Sequence, residues 1–448
     1  MTQDATSRWL DGPVDLTTVS VQVTAPVLAP RNRGWWIALC ASGLLTAVMV
    51  AGMVYSFESG VGVWGNNTSV VWGFPIANYV YWIGIGNAGT LISALLLITR
   101  QKWRASINRF AEAMTLFAVS IAGVFPILHL GRPMYFYWLA PFPDSHTLWP
   151  QWRSALVWDF WAILSYLLFS IVFFYVGLIP DLATLRDRAR SKLVARLYGV
   201  FALGWRGSLL HWRTHRRLEF LMACMAVPLV CSVHSIVGLD FAASLMPGWD
   251  ESIFPPYFVV GALFSGFAVV VMLAAWLRGA LGLQDIITPR HFEAMARVLV
   301  AASIVMGLSY ATEWFSAWYG GQGPDVAQLA FTFGGPYRWL YFIMLFCNVA
   351  ASQVFWLRRA RTDMRVLIAV AVLINIGMWL ERMLIILNTL SHGHLPSAWR
   401  LFTPTLVDFA ILAGSFGFFA LLMLLFSRLL PVVSMHDVRK LLSEEGLA

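Results

Sequence analysis

Charged side chains are scarce in this chain: Asp, Glu, Lys and Arg together make up 12% of its 448 residues. A soluble chain of that length carries about a quarter charged residues and needs them to cover its surface. The shortage excludes a soluble enzyme, a nucleic-acid binder and a disordered scaffold. Cysteine is also rare. Cys40, Cys224, Cys231 and Cys347 lie in apolar stretches and form no CxxC pair, CxxCH attachment site or ferredoxin-type run. No disulfide framework, iron–sulfur cluster or c-type haem is therefore expected, and each cysteine reads as a small buried side chain. The first 34 residues are polar and lack a signal-peptide hydrophobic core, so the first apolar span is expected to remain uncleaved.

Apolar residues fill the space that charge leaves. The chain is 59% hydrophobic, has 22 Trp and 31 Phe, and a mean hydropathy of +0.69, the profile of an integral membrane protein. A helix rising about 1.5 Å per residue crosses the roughly 30 Å hydrocarbon core in about 20 residues. Ten stretches qualify, at 35–57, 74–99, 111–129, 155–179, 218–240, 257–277, 295–318, 337–357, 366–386 and 406–430. The fold class is all-α with ten transmembrane helices.

Sorting the basic residues orients these spans. With the N-terminus cytoplasmic, 26 of the 31 Lys and Arg fall on inside segments; Arg132, Arg153, Arg338 and Arg400 fall outside and Arg382 within a span. That asymmetry predicts both termini inside and explains the net charge of +8 without invoking DNA. The basic loop 180–217 is expected to lie against anionic headgroups, and the segments Met134–Leu139 and Trp149–Trp152 to settle at the outer interface. Phe74-Pro75 and Phe254-Pro255, 180 residues apart, each open a span from outside. They suggest that spans two to five and six to nine repeat one four-helix unit.

An ionisable group inside a span costs about 2.5–3.5 kcal/mol on insertion scales, so each is a candidate functional residue. His129 closes span three and Asp159 lies early in span four. His234 and Asp240 are late in span five, Glu313 late in span seven, Glu381 and Arg382 late in span nine, and Asp408 opens span ten. All fall in the outer half, and the inner halves read as nearly free of ionisable groups. A transporter would need polar groups near the midplane; a site for the head of a lipid-soluble redox carrier needs them at one face. A quinol gives up two electrons and two protons, which calls for a histidine to bind its hydroxyl and take a proton, with a carboxylate beside it. His129 and Asp159, joined by a polar loop, are the expected pair. His234 and Asp240 differ by about 120° and about 9 Å along their helix, so they should not touch but could line one wet path. Plainer readings stand beside these: a structural histidine, a carboxylate favoured at a helix N-terminus, and Glu381 and Arg382 pairing with Asp408 or Glu313 across helices. Haem ligation would need facing histidines, whereas the spans offer only His129 and His234, with His392 and His394 in an outer loop.

The strings Phe74-Pro75-Ile76-Ala77-Asn78-Tyr79-Val80-Tyr81-Trp82-Ile83-Gly84-Ile85-Gly86-Asn87-Ala88-Gly89-Thr90, His129-Leu130-Gly131-Arg132-Pro133, Val157-Trp158-Asp159, His234-Ser235-Ile236-Val237-Gly238-Leu239-Asp240 and Phe254-Pro255-Pro256-Tyr257 carry a resemblance. The chain resembles the NrfD-like family of polysulfide reductase membrane subunits over all ten spans, and within it the ActC type, the quinol-binding subunits of alternative complex III.

The resemblance implies two four-helix bundles, 74–240 with the quinol site and 257–386. Peripheral helices at 35–57 and 406–430 flank them, between a cytoplasmic segment 1–34 and a tail 431–448. It implies menaquinol or ubiquinol as substrate and no redox cofactor in the chain itself. The quinol site near the periplasmic face would comprise His129, Asp159 and Arg132. A proton path would include His234 and Asp240, extended here to Glu313, Glu381, Arg382 and Asp408. Implied partners in the bacterial inner membrane are a periplasmic iron–sulfur subunit, multihaem cytochromes c, a second NrfD-like subunit, a terminal cytochrome c oxidase and membrane lipids. The alternatives are a quinone-reactive anchor of a molybdopterin oxidoreductase of the polysulfide or sulfite type, a purely structural anchor, and a proton transporter. Asn87 departs from the family pattern, in which many relatives carry histidine.

Overall fold

Ten helices of the computed structural model are long and apolar enough to cross a membrane, and among the described residues, 8–11, 15–28, 31–139 and 152–445, there is no strand. The chain is a multi-pass membrane protein. In order, the helices are α1 (Leu16–Leu28), α2 (Arg33–Ser59), α3 (Phe74–Ile98), α4 (Arg104–Ala122), α5 (Val124–His129), α6 (Ala155–Arg188), α7 (Lys192–Phe201) and α8 (Leu209–Ala242). They continue with α9 (Phe254–Ala280), α10 (Pro289–Gly320), α11 (Gly323–Gly334), α12 (Arg338–Leu345), α13 (Arg358–Thr362), α14 (Met364–Ser391), α15 (Leu406–Leu429) and α16 (Met435–Glu444).

The two Phe-Pro helices form the axis. Pro at the first turn costs no hydrogen bond there, and both α3 and α9 open with it. In the span of α3, 83% of the residues are buried, against 17% in α2, so α3 is central and α2 peripheral. Small residues allow the close approach. A side chain on Gly89 would meet the Ala111 carbonyl of α4, and one on Gly266 of α9 would overlap Ala88 of α3. Helix α8 packs on both α3 and α9, α14 does the same from the other side, and α2 pairs with α15.

Several elements differ from the sequence expectation. The third span begins at Arg104 and breaks at Gly123 into α4 and α5. Helix α6 runs on through Pro180 to Arg188, so the expected loop 180–217 is largely helical. Its short helix α7 leaves Leu193, Leu197, Val200 and Phe201 exposed. The polar N-terminal segment contains α1, whose Val19 and Val23 are buried. Only Cys347 is buried; Cys40 and Cys224 are exposed and Cys231 is half-buried. Their apolar helix faces look outward, toward what would be lipid, which the sequence does not distinguish from core. Met134 to Leu139 form part of a 3-10 stretch, whereas of Trp149–Trp152 only Trp152 lies within the described residues.

Span eight is irregular. After α12 the chain widens into a π-helical turn, Phe346–Ala350, and then tightens into a 3-10 stretch, Ala351–Trp356. The altered turn leaves carbonyls to satisfy. Ser303 donates to the Asn348 carbonyl at 2.8 Å and Gln353 Nε2 to that of Val349 at 2.8 Å.

The two ends of the chain meet at one end of the helix array. The Trp9 amide donates to Glu445 Oε1 at 2.9 Å, and Arg428 Nη1 to the Pro26 carbonyl at 2.9 Å. Helix α16 docks there through Asp437, which accepts from Asn108 Nδ2 at 2.9 Å and faces Arg104 Nη1 at 3.3 Å. Burial works against the Asp437 charge, but Arg104, His436 and Arg109 outweigh it and hold its carboxyl below the ordinary range.

Candidate functional site

Three helices meet around one carboxylate at the end of the array opposite α16. Asp159 stands in the first turns of α6, is 2% exposed, and accepts a hydrogen bond from the Tyr79 hydroxyl of α3. Its carboxyl is also hydrogen-bonded to that of Asp240, near the end of α8. Two carboxyls can bond in this way only with a proton between them, because like charges at contact in a dry site repel strongly. Asp159 Oδ1 and Asp240 Oδ1 are both buried with no partner among the protein groups. An unsatisfied buried acceptor is costly, so the pair is open to a hydroxyl donor.

His129 occupies a neighbouring position. It ends α5, is half-buried, bonds the backbone of Val71, and lies between the rings of Trp64 at 6.1 Å and Trp72 at 6.2 Å. No hydrogen bond joins it to Asp159 among the described residues. The connection is aromatic: Trp72 packs edge-on against Phe241, the residue after Asp240, and stacks on Trp249. Arg132 is exposed in the turn after α5 and enters no ion pair among the described residues.

His234 and Asp240 take different partners, as their angular separation on α8 requires. His234 is fully buried, its Nδ1 2.7 Å from the Asn87 amide of α3, with Nε2 unpartnered. Thus the residue that departs from the family pattern is the partner of the buried histidine.

A second cluster lies in the α9–α14 half. Glu381 accepts from the Tyr310 hydroxyl and, at 3.0 Å, from Asn348 Nδ2, which the wide turn of span eight presents; Arg382 Nη1 lies 2.7 Å from its other oxygen. The Arg382 guanidinium lies 4.2 Å from the Phe258 ring centre, in the space that Gly261 leaves without a side chain. Glu313 lines a cavity of about 50 Å³ beside this cluster, with Tyr257, Tyr310, Tyr341 and Glu381; the volume holds more than one water. Glu381 and Arg382 pair with each other, not across to Asp408. Asp408 is separate from both clusters. It caps α15, accepting from the Thr405 amide at 2.9 Å and the Gly65 amide at 2.8 Å.

The inner halves of the spans are not free of charge, contrary to the sequence expectation. Because α4 starts earlier and α6 ends later than hydropathy indicates, Arg109, Glu112 and Asp181 are all buried within the helix array. Arg109 Nη2 lies 3.1 Å from Asp181 and donates to the Gly177 carbonyl at 2.6 Å, and Glu112 accepts from Ser93 of α3 at 2.5 Å. On α6, Asp159 and Asp181 are 22 residues apart, about 33 Å of helix rise. That is close to the full hydrocarbon thickness. Between them α3 presents Asn87, Thr90 and Ser93 along one face. Thr115 Oγ1 accepts from the Thr90 amide at 2.8 Å, and Tyr166 donates to the Gly86 carbonyl at 3.0 Å. Sequence reasoning missed Tyr79, Tyr310 and Asn348, which are uncharged and carry no cost signal in a hydropathy reading. Among the described residues no three His, Cys, Asp or Glu side chains converge as metal ligands.

The chain is similar to a putative dimethyl sulfoxide reductase membrane protein of Halobacterium salinarum, the C-type component of that reductase, with 24% identity over 244 residues, 54% of this chain and 51% of that protein. It is also similar to the C-type component of selenate reductase from Mesobacillus selenatarsenatis, 25% identical over 223 residues, 47% of this chain and 49% of that protein. The matches span about half the length of these curated relatives. The family description "Polysulphide reductase, NrfD" matches residues 62–391, from just before α3 to the end of α14 and so across both clusters. The chain belongs to the NrfD family.

Proposed function

We propose that this protein is the quinone-reactive membrane subunit of an electron-transfer oxidoreductase, oxidising menaquinol or ubiquinol at the Asp159 end. The observation that carries the reading is the buried Asp159–Asp240 carboxyl pair with its two unpartnered oxygens, next to His129 in its tryptophan frame. A quinol hydroxyl donates to the pair or to His129. One of these groups takes each proton as the two electrons leave for an iron–sulfur cluster held by a partner subunit. Arg132, in the turn after α5, would attract the carrier's oxygen at the rim. The membrane orientation rests on the basic residues: the α16 end is cytoplasmic and the Asp159 end periplasmic, in a bacterial inner membrane. His129→Ala should lower quinol oxidation by the intact complex at least about tenfold while the subunits still copurify. Near-normal turnover would remove His129 from the site.

The assembly we propose is of the alternative complex III type, with a periplasmic iron–sulfur subunit, multihaem cytochromes c and a second NrfD-like subunit. The names of the two relatives favour the other arrangement, a membrane subunit serving a reductase of the molybdopterin class. Copurification separates them: haem-stained polypeptides select the first and bound molybdopterin the second.

A second observation favours coupling to proton movement. The polar face of α3 from Asn87 to Ser93 leads from the His234 region toward Glu112, Arg109 and Asp181 at the other end. His234, Asp240 and the Glu381–Arg382 cluster with Glu313 would be stations along two such paths, whereas Asp408 is tied up as a cap. Glu112→Gln should lower the proton-to-electron ratio in sealed vesicles to the scalar value while quinol oxidation persists. An unchanged ratio would rule out the α3 path.

A further inference from the structure

At the α16 end, a groove of about 580 Å³ opens between the α3–α4 turn, the first turns of α8, and α16. Its volume is within the roughly 300–1,000 Å³ of pockets that hold small ligands, and its charge is unbalanced. Arg104 is matched by Glu219 at 2.6 Å and Asp437 at 3.3 Å, and Lys440 faces Glu444 at 3.8 Å. Arg100, Lys102 and Arg216 line the same groove and enter no ion pair among the described residues. Burial holds His436, on the groove wall, below its ordinary value, so the surplus positive charge comes from Arg and Lys alone.

The turn that brings Arg100 and Lys102 here is itself unusual. Arg100 has φ +53°, in the left-handed region that a residue with a Cβ enters only at a cost. The rest of the wall is apolar. Leu97 and Phe220 line it, and Leu218, Phe220 and Leu221 are exposed along the adjoining outer face of α8. A groove with a cationic floor at the helix ends and an apolar side continuing along the spans matches a molecule with an anionic head and hydrocarbon chains.

We infer that this groove binds an anionic phospholipid, its phosphate held by Arg100, Lys102 and Arg216 and its acyl chains laid along Leu97 and the outer face of α8. Occupation would join α16 to the α3–α4 turn and so fasten the C-terminal segment to the array. A soluble anion or the acidic surface of a partner protein would use the same cations but would leave the apolar side uncovered.

The test is native mass spectrometry of the purified full chain in detergent, titrated with dioleoylphosphatidylglycerol or with dioleoylphosphatidylcholine. Phosphatidylglycerol should bind selectively. Each cation removed should weaken it about fivefold, so Lys102→Gln with Arg216→Gln should weaken it about 25-fold. Arg358→Gln with Arg359→Gln, at α13 and outside the groove, should leave it unchanged. The single variants Lys102→Gln and Arg216→Gln serve if the double variant is not monodisperse. Selectivity that survives in the groove variants, or falls equally in the α13 variant, overturns the proposal. Displacement of the lipid by an equal concentration of inorganic phosphate would overturn it in favour of a soluble anion. Loss of a copurifying polypeptide, with lipid binding intact, would assign the groove to a protein partner.

Discussion

Asp159→Asn should lower quinol-linked turnover by about 100-fold or more, the usual contribution of a positioned proton acceptor, with assembly intact. The substitution keeps the size of the side chain and a group able to accept from the Tyr79 hydroxyl, but it removes the proton-binding site shared with Asp240. Asp240→Asn should cost a similar factor, and the double variant little more than either alone, because two carboxyls sharing one proton act as a unit. A multiplicative double variant would mean two independent sites. Turnover within about threefold of the parent for Asp159→Asn would remove the carboxyl pair from the chemistry. Tyr79→Phe provides a separate readout. It takes one donor from Asp159 without removing a carboxylate, so it should shift the pH profile of turnover more than the maximal rate.

The second large effect concerns stability. Arg109→Ala should destabilise the protein by about 3–5 kcal/mol, because it leaves Asp181 and Glu112 buried with their cation gone. All three side chains are 2–5% exposed as ion-pair partners, and Arg109 also satisfies the Gly177 carbonyl. The loss would be read as a lower midpoint in thermal or denaturant unfolding in detergent. Replacing the whole set, with Arg109→Met, Asp181→Asn and Glu112→Gln together, should recover much of it, since neutral buried groups cost far less than an unpaired charge. If Arg109→Ala lies within about 0.5 kcal/mol of the parent, the arginine carries no structural burden.

The spans were legible in the sequence because each must be a long apolar stretch to cross lipid, and that signal is local. Their ends were not. Hydropathy stops a helix where charge begins, yet Arg109 and Asp181 remain helical and buried because they neutralise one another across α4 and α6. The angular separation of His234 and Asp240 was likewise legible, since 100° per residue is intrinsic to a helix. Asp240 meeting Asp159 was not legible, because the rotation of α8 against α6 is set by packing contacts far apart in sequence. His129 was found as an isolated histidine at a span end, but its frame of Trp64 and Trp72 comes from a loop more than 50 residues earlier. Tyr79 lay in full view within the Phe74–Thr90 string and was passed over because a tyrosine in an apolar span reads as ordinary bulk.

The wide turn at Phe346–Ala350 sets a tolerance on the length of the eighth span. A π-helical turn amounts to one residue inserted into a regular helix, and here the extra residue brings Asn348 to Glu381 and Tyr310. Removing a single residue there would turn everything beyond it by about 100°. The Asn348 amide would leave the carboxylate, while the apolar pattern, and so the span itself, would survive. The position is therefore one where chemistry, not membrane insertion, fixes the count of residues.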